Sequence, residues 1–315
     1  MDQPLFNNIN NTNLKRKGLK INKLSLKNQN NILGWMLNIP SIIIVLLVML
    51  YPMLYALWTS LHRYVFYRKT MPFIWFSNYL SLLHDKEFIQ SAIRTLVFVT
   101  LNLSLVILIG FIVALVLNQD FKFRGIMRAL VLIPWAVPPT ASGLVWKMIY
   151  DPQFGLLNGI LRSLGLIQEY IPWLAMPRIA FVFLVITTAW RQFPLVAMIF
   201  LAGLQSIPND IYEAAKVDGA TSFQRFCKIT LPLLRGSFFV VLVLQTMFSL
   251  RAFDEIYSLT YGGPANSTVT MSFYMYFTAF NKMYFGRGAA IAYIIALITL
   301  AFSLFYIKIF YREET

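Results

Sequence analysis

Thiols and imidazoles are almost missing from this chain: one cysteine and two histidines among 315 residues. Cys227 has no second thiol to pair with, so an internal disulfide is excluded. Ligand sets at zinc-type spacing are absent as well. No Gly-x-x-x-x-Gly-Lys-Ser/Thr stretch occurs, so the chain lacks the usual loop for cradling ATP phosphates. A nucleophile elbow is also missing, and no catalytic site is expected. Charge is scarce too, at 13% of residues, where a soluble domain carries roughly a quarter. With 58% hydrophobic residues and a mean hydropathy of +0.63, that shortage places the chain in the integral membrane class. Acidic residues are the scarcest charges, 13 against 27 Lys and Arg. The cations are spread over chain ends and loops and form no basic face with interleaved aromatics. They read as topology signals, and nucleic acid is not an expected partner.

What the chain does have is one apolar run after another. Six windows meet the length of roughly 20 residues that a helix needs to cross a bilayer. They lie near Leu37–Leu57, Ala92–Leu117, Met127–Ile149, Ile179–Leu201, Gly236–Leu259 and Ala289–Ile309. The third and fourth contain "IPWAVPP" (Ile133–Pro139) and "WRQFP" (Trp190–Pro194), where proline removes an amide donor and predicts kinks or unwound pieces. Such breaks persist at membrane depth only where protein or a water-filled cavity satisfies the freed groups. About fifteen Lys and Arg, from Lys15 through Lys216 to Arg312, fall on one side of this arrangement and about nine on the other. That bias puts both termini in the cytoplasm, in a multi-pass protein of the cell membrane. Residues 1–31 read as a polar, basic cytoplasmic tail, and 32–315 as the six-helix membrane domain. Internal repeats are not evident, so six helices would line only half a pathway and a second subunit is implied.

Between the fourth and fifth windows lies a segment that is not membrane-like, at about 206–233. Pro208 suits a first helical turn, and Asp210 and Glu213 suit the positive end of that helix. Ala214 and Ala215 add helix propensity, and Gly219 tolerates the left-handed conformation that ends a helix. Thr221 and Gln224 have the spacing of a capping box for a second helix. That helix is expected to turn Phe223, Phe226 and Cys227 to one side, and Leu231-Pro232 to stop it. The product is a helix–glycine–helix knob on the cytoplasmic side. It either packs on its own membrane helices or enters a groove on a partner.

"EAAKVDGATSFQRFCKITLP" (Glu213–Pro232) resembles the EAA motif of permease subunits in binding-protein-dependent ABC importers. The family pattern is matched by Glu213, Ala214, Ala215, Asp218, Gly219, Ala220, Phe226, Ile229, Leu231 and Pro232. "FKFRGIMRALVLIPWAVPPTASGLVWKMIYDPQFGLLNGIL" (Phe121–Leu161) and "LTYGGPANSTVTMSFYMYFTAF" (Leu259–Phe280) are similar to the carbohydrate-uptake branch, and to the first of the two permeases such systems carry. The resemblance runs from the first window to the C-terminus and leaves out residues 1–31. It implies an all-α fold of the type I importer permeases, with the knob as a coupling helix. Glu213, Ala214, Ala215, Asp218, Gly219, Ala220, Phe223 and Phe226 would then meet the ATPase. The implied partners are a second permease, two copies of an ABC ATPase subunit that binds ATP and Mg, and an extracytoplasmic solute-binding protein. No cofactor is expected in this chain. Sugar is the expected solute; glycerol phosphate, an amino acid or a peptide are alternatives, and a stand-alone secondary transporter is a further one.

Charges inside spans are costly and face a cavity or a partner. Trp190, Arg191 and Gln192 offer the aromatic face, cation and amide that a sugar site needs; a buried ion pair or a snorkelling Arg191 is the alternative. Arg251, Asp254 and Glu255 have i,i+3 and i,i+4 spacing, so a pair within one helix competes with solute contact. Lys147 is expected to snorkel, and Trp58, Trp75, Trp146 and Trp173 to sit in the interfacial belt.

Overall fold

In the computed structural model, residues 26–68 and 70–310 are described, with side chains from Trp35 onward. Most of the tail read as 1–31, together with Lys69 and Arg312, lies outside them. The chain divides into two compact units, 1–54 and 55–315. In the first, α1 (Leu26–Val45) passes through a π-helical turn at Leu46–Leu50 into the start of α2 (Tyr51–Ser60). Its apolar residues point outward from Trp35 to Leu54.

The second unit begins with the rest of α2, followed by a loop, the short α3 (Ser77–Leu83) and α4 (Lys86–Leu117). Asp85 caps α4, accepting from the amides of Glu87 (2.9 Å) and Phe88 (3.4 Å). At 32 residues α4 is roughly 48 Å long, more than the hydrocarbon core requires, so its ends reach beyond it. α5 (Arg124–Ala136) and α6 (Pro139–Ile149) meet at 94°. The cause is local: Val137 and Pro138 both precede a proline and are driven to extended ψ of 127° and 141°. The kink expected in "IPWAVPP" is therefore present. α7 (Leu156–Ser163) leads to α8 (Pro177–Gln205), which runs through Pro194 without a break. No unwound piece occurs at "WRQFP", since α8 stays helical through Pro194. Half of its apolar window is buried, and it packs on α4, α5 and α12.

α9 (Asn209–Val217) and α10 (Ser222–Arg225) follow, then a π-helical turn at Phe226–Thr230 and a short α11 (Leu231–Leu233). Helix geometry thus continues through Leu231-Pro232, and the bend of 59° into α12 (Arg235–Leu250) falls at Leu234. Pro232 therefore does not stop the helix. The fifth window was expected to reach Leu259. Instead α12 ends at Leu250, and after three non-helical residues α13 (Asp254–Leu259) starts anew. α14 (Met271–Tyr276) and α15 (Phe285–Phe310) complete the unit. Among the described residues, four helices are long and apolar enough to cross a membrane, or six if each bent pair counts as one span. Among the described residues there is no sheet, only an isolated bridge between His62 and Phe73.

Close helix approach depends on small residues, as expected where lipid supplies no hydrophobic drive between helices. A Cβ on Gly110 of α4 would lie 2.7 Å from Val196 of α8, and one on Gly143 of α6 would strike Ser258 of α13. Two apolar clusters result. One gathers Phe88, Phe98, Leu184, Ile256 and Ile291; the other gathers Val106, Ala114, Val196, Phe200 and Val241.

Candidate functional site

Three places combine chemistry with geometry: the 206–233 segment, a polar layer between the two apolar clusters, and an ion cluster at the start of α4. The 206–233 segment folds by local rules. Pro208 is the N-cap residue of α9 rather than part of its first turn, with ψ 135°. Asp210 lies in the first turn and Lys216 in the last, complementing the helix dipole. At the other end Gly219 has φ +76°. Its amide donates to the Lys216 carbonyl (3.0 Å), and the Ala220 amide to the Ala215 carbonyl (2.9 Å). That pair of bonds is a Schellman motif, with glycine at the position that needs the left-handed conformation. The capping box then starts α10: the Gln224 amide donates to Thr221 Oγ1 (3.3 Å), and the Thr221 amide to Gln224 Oε1 (2.8 Å).

Glu213, Ala214, Asp218 and Gly219 are exposed, and Ala215 and Ala220 half-buried. Apolar side chains stand out beside them: Val217 is 87% exposed and Phe223 74%. The expectation that Phe223, Phe226 and Cys227 share one side needs correction. Phe226 turns inward against Phe111 of α4, with ring centroids 6.0 Å apart, while Phe223 and Cys227 stay exposed. The π-helical turn starting at Phe226 rotates the following residues away from regular α-helical register.

The polar layer lies midway along α4 and α8, between the two clusters. Asn102 of α4 donates from Nδ2 to Gln192 Oε1 of α8 (2.9 Å) and to Ser249 Oγ of α12 (2.8 Å). The Asn102 carbonyl oxygen and both polar atoms of Gln245 on α12 are buried without a hydrogen-bond partner. Unpaired buried amides cost about 1–3 kcal/mol each and persist where something else is gained. Next to them, Arg191, Gln192, Gln245, Trp135, Leu195 and Phe248 line a cavity of about 70 Å³. As this chain alone forms it, the cavity has room for roughly two waters and none for a sugar ring.

Arg191 Nε donates to Glu255 Oε1 at 2.7 Å, and only 3% of the Glu255 side chain is exposed. The pairing of Arg251 with Asp254 or Glu255 inside one helix is thereby overturned. The helix breaks at Arg251, so the i,i+4 register does not apply, and Glu255 turns to α8. Asp254 is exposed in the first turn of α13. Arg251 opens on a separate cleft of about 630 Å³ with Phe253, Ser272 and Tyr276. Trp190 does not line the small cavity; it packs edge-on against Trp146, centroids 5.5 Å apart. Of the six proposed pathway residues, the structure thus brings Arg191, Gln192 and Glu255 together and sets Trp190, Arg251 and Asp254 apart. Asn102 and Gln245 were missed, although each is a lone amide in a long apolar run, which is itself a signal. Lys147, Trp58 and Trp75 are exposed, Trp146 is half-buried, and Trp173 donates from Nε1 to Asn158 Oδ1 (2.9 Å).

At the start of α4, Asp85 also accepts from the Tyr274 hydroxyl (2.6 Å) and from Arg287, tying α4 to α14 and α15. Burial opposes its charge, but the Tyr274 hydroxyl, Arg287 and the two capping amides outweigh burial and hold the carboxyl below its ordinary range. A depressed carboxyl stabilises the fold above its unfolded pKa of about 3.9, and that contribution is lost as pH falls through the lower folded value. Asp85→Ala is expected to lower the unfolding temperature of the purified chain at neutral pH. The lost cap alone costs about 1 kcal/mol. The gap between variant and wild type should narrow only below about pH 4.

The chain matches the family described as "Binding-protein-dependent transport system inner membrane component" over residues 106–310. It is 40% identical over 284 residues to the trehalose/maltose transport system permease protein MalF of Thermococcus litoralis, covering 90% of this chain and 95% of that one. It is 34% identical to the lactose transport system permease protein LacF of Rhizobium radiobacter, over 90% and 96% of the two chains. A solved bacterial ABC transporter that imports the acidic polysaccharide alginate superposes with a TM-score of 0.79. The identity there is 22%, and 92% of this chain and 98% of that one are covered. The fold is that of an importer permease, and the chain belongs to the inner-membrane component family of binding-protein-dependent transport systems. It is a membrane-spanning transport subunit.

Proposed function

We propose that this chain forms half of the translocation pathway of an ATP-driven sugar importer, with both termini in the cytoplasm. The observation that carries the reading is the 206–233 knob, a locally capped element that holds Val217 and Phe223 in solvent beside Glu213 and Gly219. Exposed apolar groups on a rigid element suit insertion into a groove on a partner. That partner is an ABC ATPase subunit in two copies, which binds the ATP and Mg that this chain has no loop to hold. A second permease supplies the other half of the pathway, and an extracytoplasmic binding protein delivers the solute. Sugar is favoured because relatives named for trehalose/maltose and lactose transport align over 90% of the chain. The solute route passes Arg191, Gln192 and Gln245, where unpaired amides, a cation and the Phe248 ring meet at mid-membrane depth.

The test is reconstitution of the complex purified in mild detergent from its native membrane. ATP-loaded vesicles supplied with the co-encoded binding protein should take up labelled trehalose or maltose, and empty vesicles should not. Uptake by this chain alone without ATP would overturn the reading in favour of a secondary transporter. Within the complex, Gln245→Leu should leave stability close to wild type, since Gln245 makes no hydrogen bond to another described residue of the chain. Transport should fall by about tenfold or more, measured as initial uptake rate against the unfolding temperature.

A further inference from the structure

We propose that a cleft between the loop before α3 and the start of α15 receives acidic side chains of the extracytoplasmic binding protein. This rests on the importer reading, which puts the cleft on the outer face, opposite the 206–233 knob. The cleft holds about 310 Å³, and its lining includes Arg63, Arg68, Arg287, Tyr64, Tyr67 and Tyr284. No Asp or Glu lines it. Arg287 is occupied by Asp85. Arg63 and Arg68 are exposed, and among the described residues no ion pair engages either.

Two arguments make this more than a solvated basic loop. The first is topology: outer loops are depleted of Lys and Arg, yet this one carries Arg63, Arg68 and Lys69 close together. Charges that oppose the insertion bias need a compensating use. The second is rigidity. The Arg63 amide donates to the Pro72 carbonyl (2.9 Å) and the Ile74 amide to the Leu61 carbonyl (2.9 Å). The Phe66 amide reaches the Met283 carbonyl (3.1 Å), and the Gly286 amide the Tyr64 carbonyl (3.1 Å). Buried Asn78 donates from Nδ2 to the carbonyls of Ser60 (2.7 Å) and His62 (3.0 Å). The backbone under Arg63 is therefore held from three sides before any partner arrives, which limits the ordering cost of binding there. Guanidinium groups match carboxylates in paired hydrogen bonds, and tyrosine hydroxyls beside them add donors. Arg and Tyr are also the residue types that dominate interface energetics. The cleft lies past the end of α2 and before α15, which the importer reading puts on the side where the binding protein arrives.

The experiment titrates the solute-loaded binding protein into the complex in nanodiscs of phosphatidylcholine and follows ATPase activity. Arg63→Gln/Arg68→Gln should raise the half-saturating concentration of binding protein about tenfold with an unchanged maximal rate. It should also flatten the salt dependence seen in the wild type, because steering and rim charges act through salt-sensitive association. Arg162→Gln, a cation outside the cleft, should change neither quantity. Retention of the ATPase subunit on size-exclusion chromatography shows that the double variant is assembled. Half-saturation and salt slope equal to wild type in that assembled variant would overturn the proposal. So would a shift that appears only when anionic phosphatidylglycerol is added, which would make the cleft a lipid headgroup site. If the binding protein fails to stimulate even the wild type, the importer reading itself fails and the docking site falls with it.

Discussion

Gly219→Leu is expected to strip the ATPase subunit from the purified complex while the membrane helices remain inserted. Gly219 sits at φ +76°, where an L-residue side chain costs roughly 1–2 kcal/mol. A Cβ there would meet no other atom of the chain within 4 Å, so the substitution leaves the packing of the membrane helices alone. Its effect is confined to the element, in two ways. The Schellman bonds from Gly219 and Ala220 would be strained, freeing α9 to fray and moving Glu213 and Val217. The new isobutyl group would also project from the exposed turn into whatever surface packs there. Gly219→Asn is the control, since asparagine tolerates the left-handed region and adds a smaller, polar group. Mass spectrometry of the co-purified chains should show the ATPase lost from the leucine variant and mostly kept by the asparagine one. Wild-type stoichiometry with normal uptake in Gly219→Leu would show that the knob packs only on its own chain. Glu213→Ala should have a smaller effect in the same direction, read as reduced uptake at retained assembly.

The contrast between the knob and the intramembrane charges shows which parts of the structure were legible in the sequence. Capping is a short-range matter: Asp210, Gly219, Thr221 and Gln224 act on neighbours within a turn, so their spacing carried the geometry directly. Apolar windows were legible for a similar reason, since bilayer thickness sets their length. The pairing of Arg191 with Glu255 was not legible, because 64 positions separate the two residues. Spacing pointed instead to Arg251 with Asp254 or Glu255. That holds only if the helix continues, and the break at Arg251–Phe253 has no proline or glycine to mark it. Pro194 misled in the opposite sense. It suggested an unwound piece where α8 stays helical, packed on α4, α5 and α12. The orientation of Phe226 was not legible because its ring packs on Phe111 of α4, far away in the sequence.

Arg191→Ala is expected to abolish uptake and also to destabilise the chain, by about 3–5 kcal/mol, because removing one partner leaves the other charge buried and unpaired. Only 3% of the Glu255 side chain and 16% of Arg191 are exposed, and both lie among membrane helices. Loss of transport in that single variant therefore would not separate a solute contact from a structural strut. The double variant Arg191→Met/Glu255→Leu does separate them. Apolar residues of similar volume often replace a buried pair with no loss of stability or with a gain. Unfolding temperature should then return to wild type or exceed it, with the ATPase still bound through the distant knob. If uptake stays below about a tenth of wild type in this stable double variant, the guanidinium or the carboxylate acts on the solute route itself. Recovery of uptake alongside stability would make the pair a strut between α8 and α13. The solute route would then rest on Gln192 and Gln245 without a charge. The route past Arg191 predicts the first outcome, because the cation lines the same cavity as two amides, Gln192 and Gln245.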